Sequence, residues 1–192
     1  MSKAFVFPGQ GSQAVGMGQA LAEASPAARL VFEEVDDALS QNLTKIMFEG
    51  PDDELRLTEN AQPALMAVSM AIVRVLSEEG GVSIDDKAAF VAGHSLGEYS
   101  ALAAAGSFAL SDTARLLKLR GQSMQEAVPV GDGAMAALLG LDFDAAKAIA
   151  DEAAQGDVCD VGNDNAPGQV VLSGATSAIE RAVEIAKEKG AR

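Results

Sequence analysis

The chain has 192 residues, 48% of them hydrophobic but only 4% aromatic and none of them Trp, so a folded core must be built from Ala, Leu, Val and Met. Its formal net charge of -14 argues against nucleic acid and anionic membrane surfaces as partners. No apolar run reaches the ~20 residues of a bilayer crossing, and the single cysteine, Cys159, excludes an internal disulfide; a cytoplasmic protein is expected.

Lys3 to Phe7 reads as a buried strand broken by Pro8, with no signal-peptide cleavage region. The loop Pro8-Gly9-Gln10-Gly11-Ser12-Gln13-Ala14 matches the loose dinucleotide pattern G-x-G-x-x-A. That motif needs a second strand ending in an acid about 20 residues on, and Glu33 and Glu34 fall inside a helix instead. A plain tight turn and a loop lining a site remain the alternatives. Ser25-Pro26 opens the helix, a cap followed by proline in the first turn. Gly50-Pro51-Asp52-Asp53-Glu54 starts a short acidic helix, and Asn60-Ala61-Gln62-Pro63 opens a longer one from Ala64 to Leu76. The long helix is apolar on nearly every side, which predicts burial, with Met47, Met66 and Met70 as core filler.

Ala88 to Ala92 is the next strand, and Glu98 to Ala105 a good helix former. Between them stands Gly93-His94-Ser95-Leu96-Gly97, a G-x-S-x-G in strand-turn-helix context, the pattern of a nucleophile elbow. Such a turn lifts the Ser95 hydroxyl over a helix N-terminus whose N–H groups can bind an oxyanion. The alternative is a serine that only caps the helix. Gly106 ends that helix, and Ser111 is expected to cap the next, Asp112 to about Glu126. Arg120 falls on that helix's apolar side, beside Leu116, Leu117 and Met124. A guanidinium there needs an anion, either an acidic side chain of the protein or a carboxylate on a substrate.

Pro129 to Gly133 reads as a linker, dividing a domain of residues 1–130 from one of residues 131–192. The second domain reads as strand Ala134–Leu141, helix Asp144–Ala154, strand Val158–Val161, a turn over Asn163–Gly168, strand Gln169–Ser173 and helix Ser177–Lys189. That β-α-β-β-α order is one strand short of a ferredoxin-like unit. Cys159 sits among Asp157, Val158 and Asp160, acidic surroundings that disfavour a thiolate. The only histidine, His94, neighbours Ser95 in a sharp turn and points elsewhere. A serine hydroxyl needs a base, so a second histidine is expected beyond Arg192, where the missing strand should also lie.

Phe5-Val6-Phe7-Pro8-Gly9-Gln10-Gly11-Ser12-Gln13, Gly93-His94-Ser95-Leu96-Gly97-Glu98-Tyr99-Ser100, Arg120-Gly121 and Met124 to Pro129 together resemble the malonyl-CoA:acyl carrier protein transacylase family. Asn163-x-Asn165-x-Pro167-Gly168-Gln169-Val170-Val171 resembles that family's small subdomain, so the resemblance runs along essentially the whole chain. It implies an α/β fold, an α/β-hydrolase-like parallel-sheet subdomain with a ferredoxin-like insertion, whose C-terminal part is missing here. It implies Ser95 as nucleophile, backbone N–H groups of Gln10 and Leu96 as oxyanion hole, and Arg120 as holder of the malonyl carboxylate. Asn165 and His94 are expected to line the site. Malonyl-CoA enters as substrate and acyl carrier protein as acceptor; no metal, no cofactor and a monomer are expected. Because such carrier proteins are acidic, a local basic patch of Arg115, Lys118 and Arg120 is expected to dock them. The family's catalytic histidine and its supporting glutamine lie in a segment absent from these residues, so little or no turnover is expected of this chain alone. A serine esterase or thioesterase, and a non-catalytic acidic binding module, are the competing readings.

Overall fold

Two parallel strands organise the first part of the chain in this computed structural model, which describes residues 2–129 and 131–192. Met1, and Val130 inside the expected linker, lie outside those residues. β1 (Ala4–Phe7) and β2 (Phe90–Gly93) pair in register from Ala4 opposite Phe90 to Phe7 opposite Gly93. The crossover between them is helical: α1 (Gln19–Ala24), α2 (Pro26–Leu39), α3 (Leu43–Glu49), α4 (Asp52–Arg56), α5 (Thr58–Glu78) and α6 (Ile84–Lys87). α7 (Leu96–Ala104) and α8 (Leu110–Ala127) follow β2.

Local sequence explains these boundaries. The Ser25 hydroxyl accepts from Ala28 N–H at 3.1 Å and Pro26 takes the first helical position, as the cap pattern requires. α7 closes in a Schellman motif, with Gly106 at φ 73, its N–H on Ala103 O and the Ser107 N–H on Leu102 O. Two starts differ from the sequence reading. α5 begins at Thr58, because the N–H groups of Asn60 and Ala61 already bond Leu57 O, so Pro63 lies inside the helix. α8 begins at Leu110, because the Thr113 N–H closes the first turn onto Ala109 O, so Ser111 is not its cap.

Phe32, Leu43, Met47, Leu55, Met66, Leu96 and Leu117 are buried together, each contributing roughly 1.5–3 kcal/mol. Only the first half of α5 is buried all round. Ile72, 46% exposed, shares an apolar groove of about 310 Å³ with Phe5, Phe7, Leu65, Val68 and Leu76.

The chain divides into two compact units, one up to Gln125 and one from Glu126 on. The sequence reading put the boundary at 130/131; residues 126–129 go with the second unit, where Val128 packs on Gly133. That unit holds β3 (Gly133–Leu139), α9 (Phe143–Ala154), β4 (Cys159–Ala166), β5 (Gln169–Ala175) and α10 (Thr176–Glu188). Its antiparallel sheet has the order β3-β5-β4. Leu138, Ile149, Val170, Leu172 and Ile179 form its core. The order is that of a ferredoxin-like sheet, whose fourth strand lies beside β3. On that free edge Leu139 and Arg192 exchange both backbone hydrogen bonds at 3.0 Å, a bridge of the antiparallel type.

The expected turn over Asn163–Gly168 is corrected: β4 runs on to Ala166 and only Pro167-Gly168 turns the chain. Irregularities between Val161 and Asn163 and between Asp164 and Ala166 let it keep pairing with β5 across polar residues. Cys159 is buried, and burial is the main force pushing its thiol up; Asp160 adds to this and Arg181 opposes it. No helix among the described residues is long and apolar enough to cross a membrane.

Candidate active site

The elbow is fixed by backbone crowding. A Cβ on Gly93 would lie 1.9 Å from the carbonyl carbon and oxygen of Gly97. A Cβ on Gly97 would lie 2.4 Å from Phe7 O and 2.7 Å from Pro8 O. Both glycines of G-x-S-x-G are therefore required by packing: one lets the turn fold on itself, the other seats it on the end of β1. Ser95 is held between them at φ 54, ψ -115, a conformation that costs a residue with a side chain about 1–3 kcal/mol. Its hydroxyl makes no capping bond to α7, which removes the reading of Ser95 as a plain cap. It is exposed at the carboxyl end of β2, where parallel α/β sheets place their sites.

The Pro8-Gly9-Gln10 loop leaves the carboxyl end of the neighbouring strand. His94 joins the two loops: its N–H donates to Phe7 O at 3.2 Å, and its ring lies so close to Gly9 that a Cβ there would come within 2.6 Å of Nδ1. The N–H groups of Gly97 and Glu98 are taken by His94 O and Ser95 O, at 2.9 and 3.1 Å. Those of Leu96 and Gln10 have no acceptor among the described residues. Two donors thus remain on the two adjoining loops, as an oxyanion hole needs.

Arg120 reaches the elbow from α8. Nη2 donates to Ser95 Oγ at 3.1 Å, Nη1 donates to Gln62 Oε1, and the guanidinium lies 5.9 Å from the Tyr99 ring centroid. Gly121 makes the reach possible. A Cβ there would lie 2.4 Å from Glu59 Cα, so α8 crosses the first turn of α5 backbone to backbone. Of the two partners left open for Arg120, no acidic side chain among the described residues takes the role. Because Ser95 Oγ accepts from Arg120, its own proton is free to leave, and an oxyanion there would face a cation.

Lys118 and Arg115, two of the three residues of the expected basic patch, are both ion-paired. Lys118 Nζ pairs with Glu59 at 2.9 Å and bonds Asn60 Oδ1 at 3.0 Å, while Arg115 pairs with Asp112 at 3.0 Å. Asn165 lies on β4, exposed, in the second unit. No group of three or more His, Cys, Asp or Glu among the described residues is placed to hold a metal.

A family model described as acyl transferase domain matches residues 4–192. The chain belongs to that family. A malonyl CoA-acyl carrier protein transacylase of Bacillus subtilis is 49% identical over the whole of this acyl transferase chain, which spans 60% of that protein's length. The crystal structure of an acyl-carrier-protein S-malonyltransferase from Bartonella henselae is 60% identical with a TM-score of 0.94, and covers all of this chain and 61% of its own. A malonyl-transacylase solved in complex with its type II polyketide-synthase acyl carrier protein is 46% identical with a TM-score of 0.91, again over 61% of that chain. The chain thus spans about 60% of the length of the relatives it matches.

Sequence reasoning missed Gln62, Thr58 and Tyr99 as neighbours of the Ser95–Arg120 pair. Gln62 is fully buried and polar, wedged between Arg120, Thr58 and Met124. In the sequence it is one polar residue before a helix proline, and only the crossing of α8 over α5 shows its use.

Proposed function

We propose that this chain carries the acyl-loading site of a cytoplasmic malonyl-CoA:acyl carrier protein transacylase, acting as a monomer without metal or cofactor. Ser95 Oγ adds to the thioester carbonyl of malonyl-CoA as its proton passes to a base, the C=O π pair moving onto oxygen as an oxyanion; collapse of that adduct breaks the C–S bond, and coenzyme A leaves as the thiol with the proton that Ser95 gave up. The N–H groups of Gln10 and Leu96 hold the oxyanion, and Arg120 holds the malonyl carboxylate. The phosphopantetheine thiol of acyl carrier protein then attacks the seryl ester and restores the hydroxyl. The proton passes through a base, and the second histidine expected from the sequence is part of this proposal. His94 is assigned a supporting place beside Ser95, and the assignment of Asn165 rests on its motif's resemblance to the family's small subdomain alone.

The observation that carries this reading is a cation 3.1 Å from the elbow hydroxyl with only neutral partners, Gln62 and Ser95. The names of the relatives support the choice of acyl group and acceptor. Intact-mass measurement after mixing with malonyl-CoA tests it. A gain of one malonyl group, lost in Ser95→Ala, is expected; no adduct, or an adduct that survives Ser95→Ala, would overturn the reading.

A further inference from the structure

The polar contacts beside Ser95 form one continuous line. Arg120 Nη1 donates to Gln62 Oε1, Gln62 Nε2 donates to Thr58 Oγ1 at 2.9 Å, and Thr58 Oγ1 donates to Gln10 Oε1 at 2.9 Å. The direction of the first two links is forced. A guanidinium has donors and no acceptor, so the amide oxygen of Gln62 must face it. That turns the Gln62 NH₂ toward Thr58 and toward Met124 Sδ at 3.4 Å. Thr58, accepting from Gln62, has its own proton left to give, and Gln10 Oε1 is the acceptor beside it. Gln62 is fully buried. Turned the other way it would set donor against donor and leave buried groups unsatisfied.

We infer that Thr58 is a positioning residue: its hydroxyl orients the Gln62 amide, and through it the Arg120 guanidinium, while anchoring the Gln10 side chain. The inference rests on the reading of Arg120 as holder of the acyl carboxylate and Gln10 as an oxyanion donor. On that reading the two ends of the acyl group, carboxylate and thioester oxygen, are held in register through one side chain on the first turn of α5. The turn itself is clamped, since α8 crosses it at Gly121, where a Cβ would lie 2.8 Å from Thr58 O.

The neutrality of the line matters as much as its direction. Gln62 satisfies Arg120 without cancelling its charge. A carboxylate in its place would form an internal ion pair and offset the charge that a charged acyl group would otherwise meet.

Thr58→Val keeps the shape and removes the hydroxyl; Thr58→Ser keeps the hydroxyl. Two readouts apply: the side-chain N–H signals of Arg120 by NMR on protein labelled in arginine nitrogen, and the ratio of malonyl to acetyl loading of Ser95. Thr58→Val is expected to broaden or erase the Arg120 signals and to lower the loading ratio by about tenfold, with Thr58→Ser restoring both. Arg120 signals and a loading ratio unchanged in a folded Thr58→Val would overturn the inference. Failure of the wild-type chain to take malonyl at all, with Arg120 signals still dependent on Thr58, would instead strike the proposed reaction and leave the positioning role standing.

Discussion

Lys118 and Arg120 stand two residues apart on α8 and end in opposite electrostatic surroundings. Lys118 is ion-paired to Glu59 at 2.9 Å, whereas Arg120 bonds only the neutral Gln62 and Ser95. One cation is used internally to hold α8 on α5. The other keeps its charge available at the nucleophile.

That difference predicts acyl selectivity. A charge-assisted hydrogen bond is worth about 1.5–3 kcal/mol, so Arg120→Ala should lower malonyl loading roughly ten- to a hundredfold more than acetyl loading. Rates of adduct formation with the two thioesters check this. Equal losses would favour the esterase or thioesterase reading, in which no cation faces the acyl chain.

The Lys118–Glu59 pair predicts a dependence of stability on pH. The hydrogen bond from Lys118 holds the Glu59 carboxyl below its ordinary range against the opposing effect of burial, with the Lys118 charge and Gln122 assisting. A folded pKa below the unfolded value of about 4.3 stabilises the fold above that value and is lost as pH falls through the folded one. Glu59→Gln should therefore be less stable than wild type by up to about 1 kcal/mol near neutrality. The gap should close on going from about pH 5 to about pH 3. Urea midpoints of the two proteins across that range measure it, and a gap that stays constant would count against the pair.

How far the site is legible in sequence follows from what fixes each part. The elbow is legible because the sharp turn itself demands Gly93 against the Gly97 backbone, so the two glycines flank Ser95 at fixed spacing, although what Gly97 meets is the distant end of β1. Arg120 is legible as an anomaly, a cation on an apolar helix side. Gln62 and Thr58 are not legible, because their role comes from α8 crossing α5 at Gly121, a contact between residues far apart in the chain. The β4 hairpin misleads for another reason. Asn163, Asp164 and Asn165 have the composition of a turn, yet bulges let them continue a strand whose pairing with β5 decides the matter. Lys118 reads as a free surface charge until Glu59 is placed beside it by the fold.

The crowding at the elbow predicts a ranking among glycine-to-alanine changes. At Gly93 the new Cβ would meet the Gly97 backbone at 1.9 Å, and at Gly97 it would meet Phe7 O at 2.4 Å. Neither neighbour can move without undoing the strand or the turn. At Gly9 the nearest atoms are His94 Nδ1 at 2.6 Å and His94 O at 3.1 Å, a less severe approach to backbone than at the other two glycines. Gly93→Ala and Gly97→Ala should each cost more than about 3 kcal/mol, seen as a loss of roughly 6–12 °C in Tm. Gly9→Ala should cost less, since its closest backbone contact is 3.1 Å against 1.9 and 2.4 Å, while shifting the loop that carries Gln10 and so slowing acyl loading with the fold intact. Thermal melts of the three variants beside their loading rates separate these effects. A Gly93→Ala protein that melts with the wild type would mean that the turn around Ser95 is looser than its close contacts require, and the strained serine would lose its physical basis.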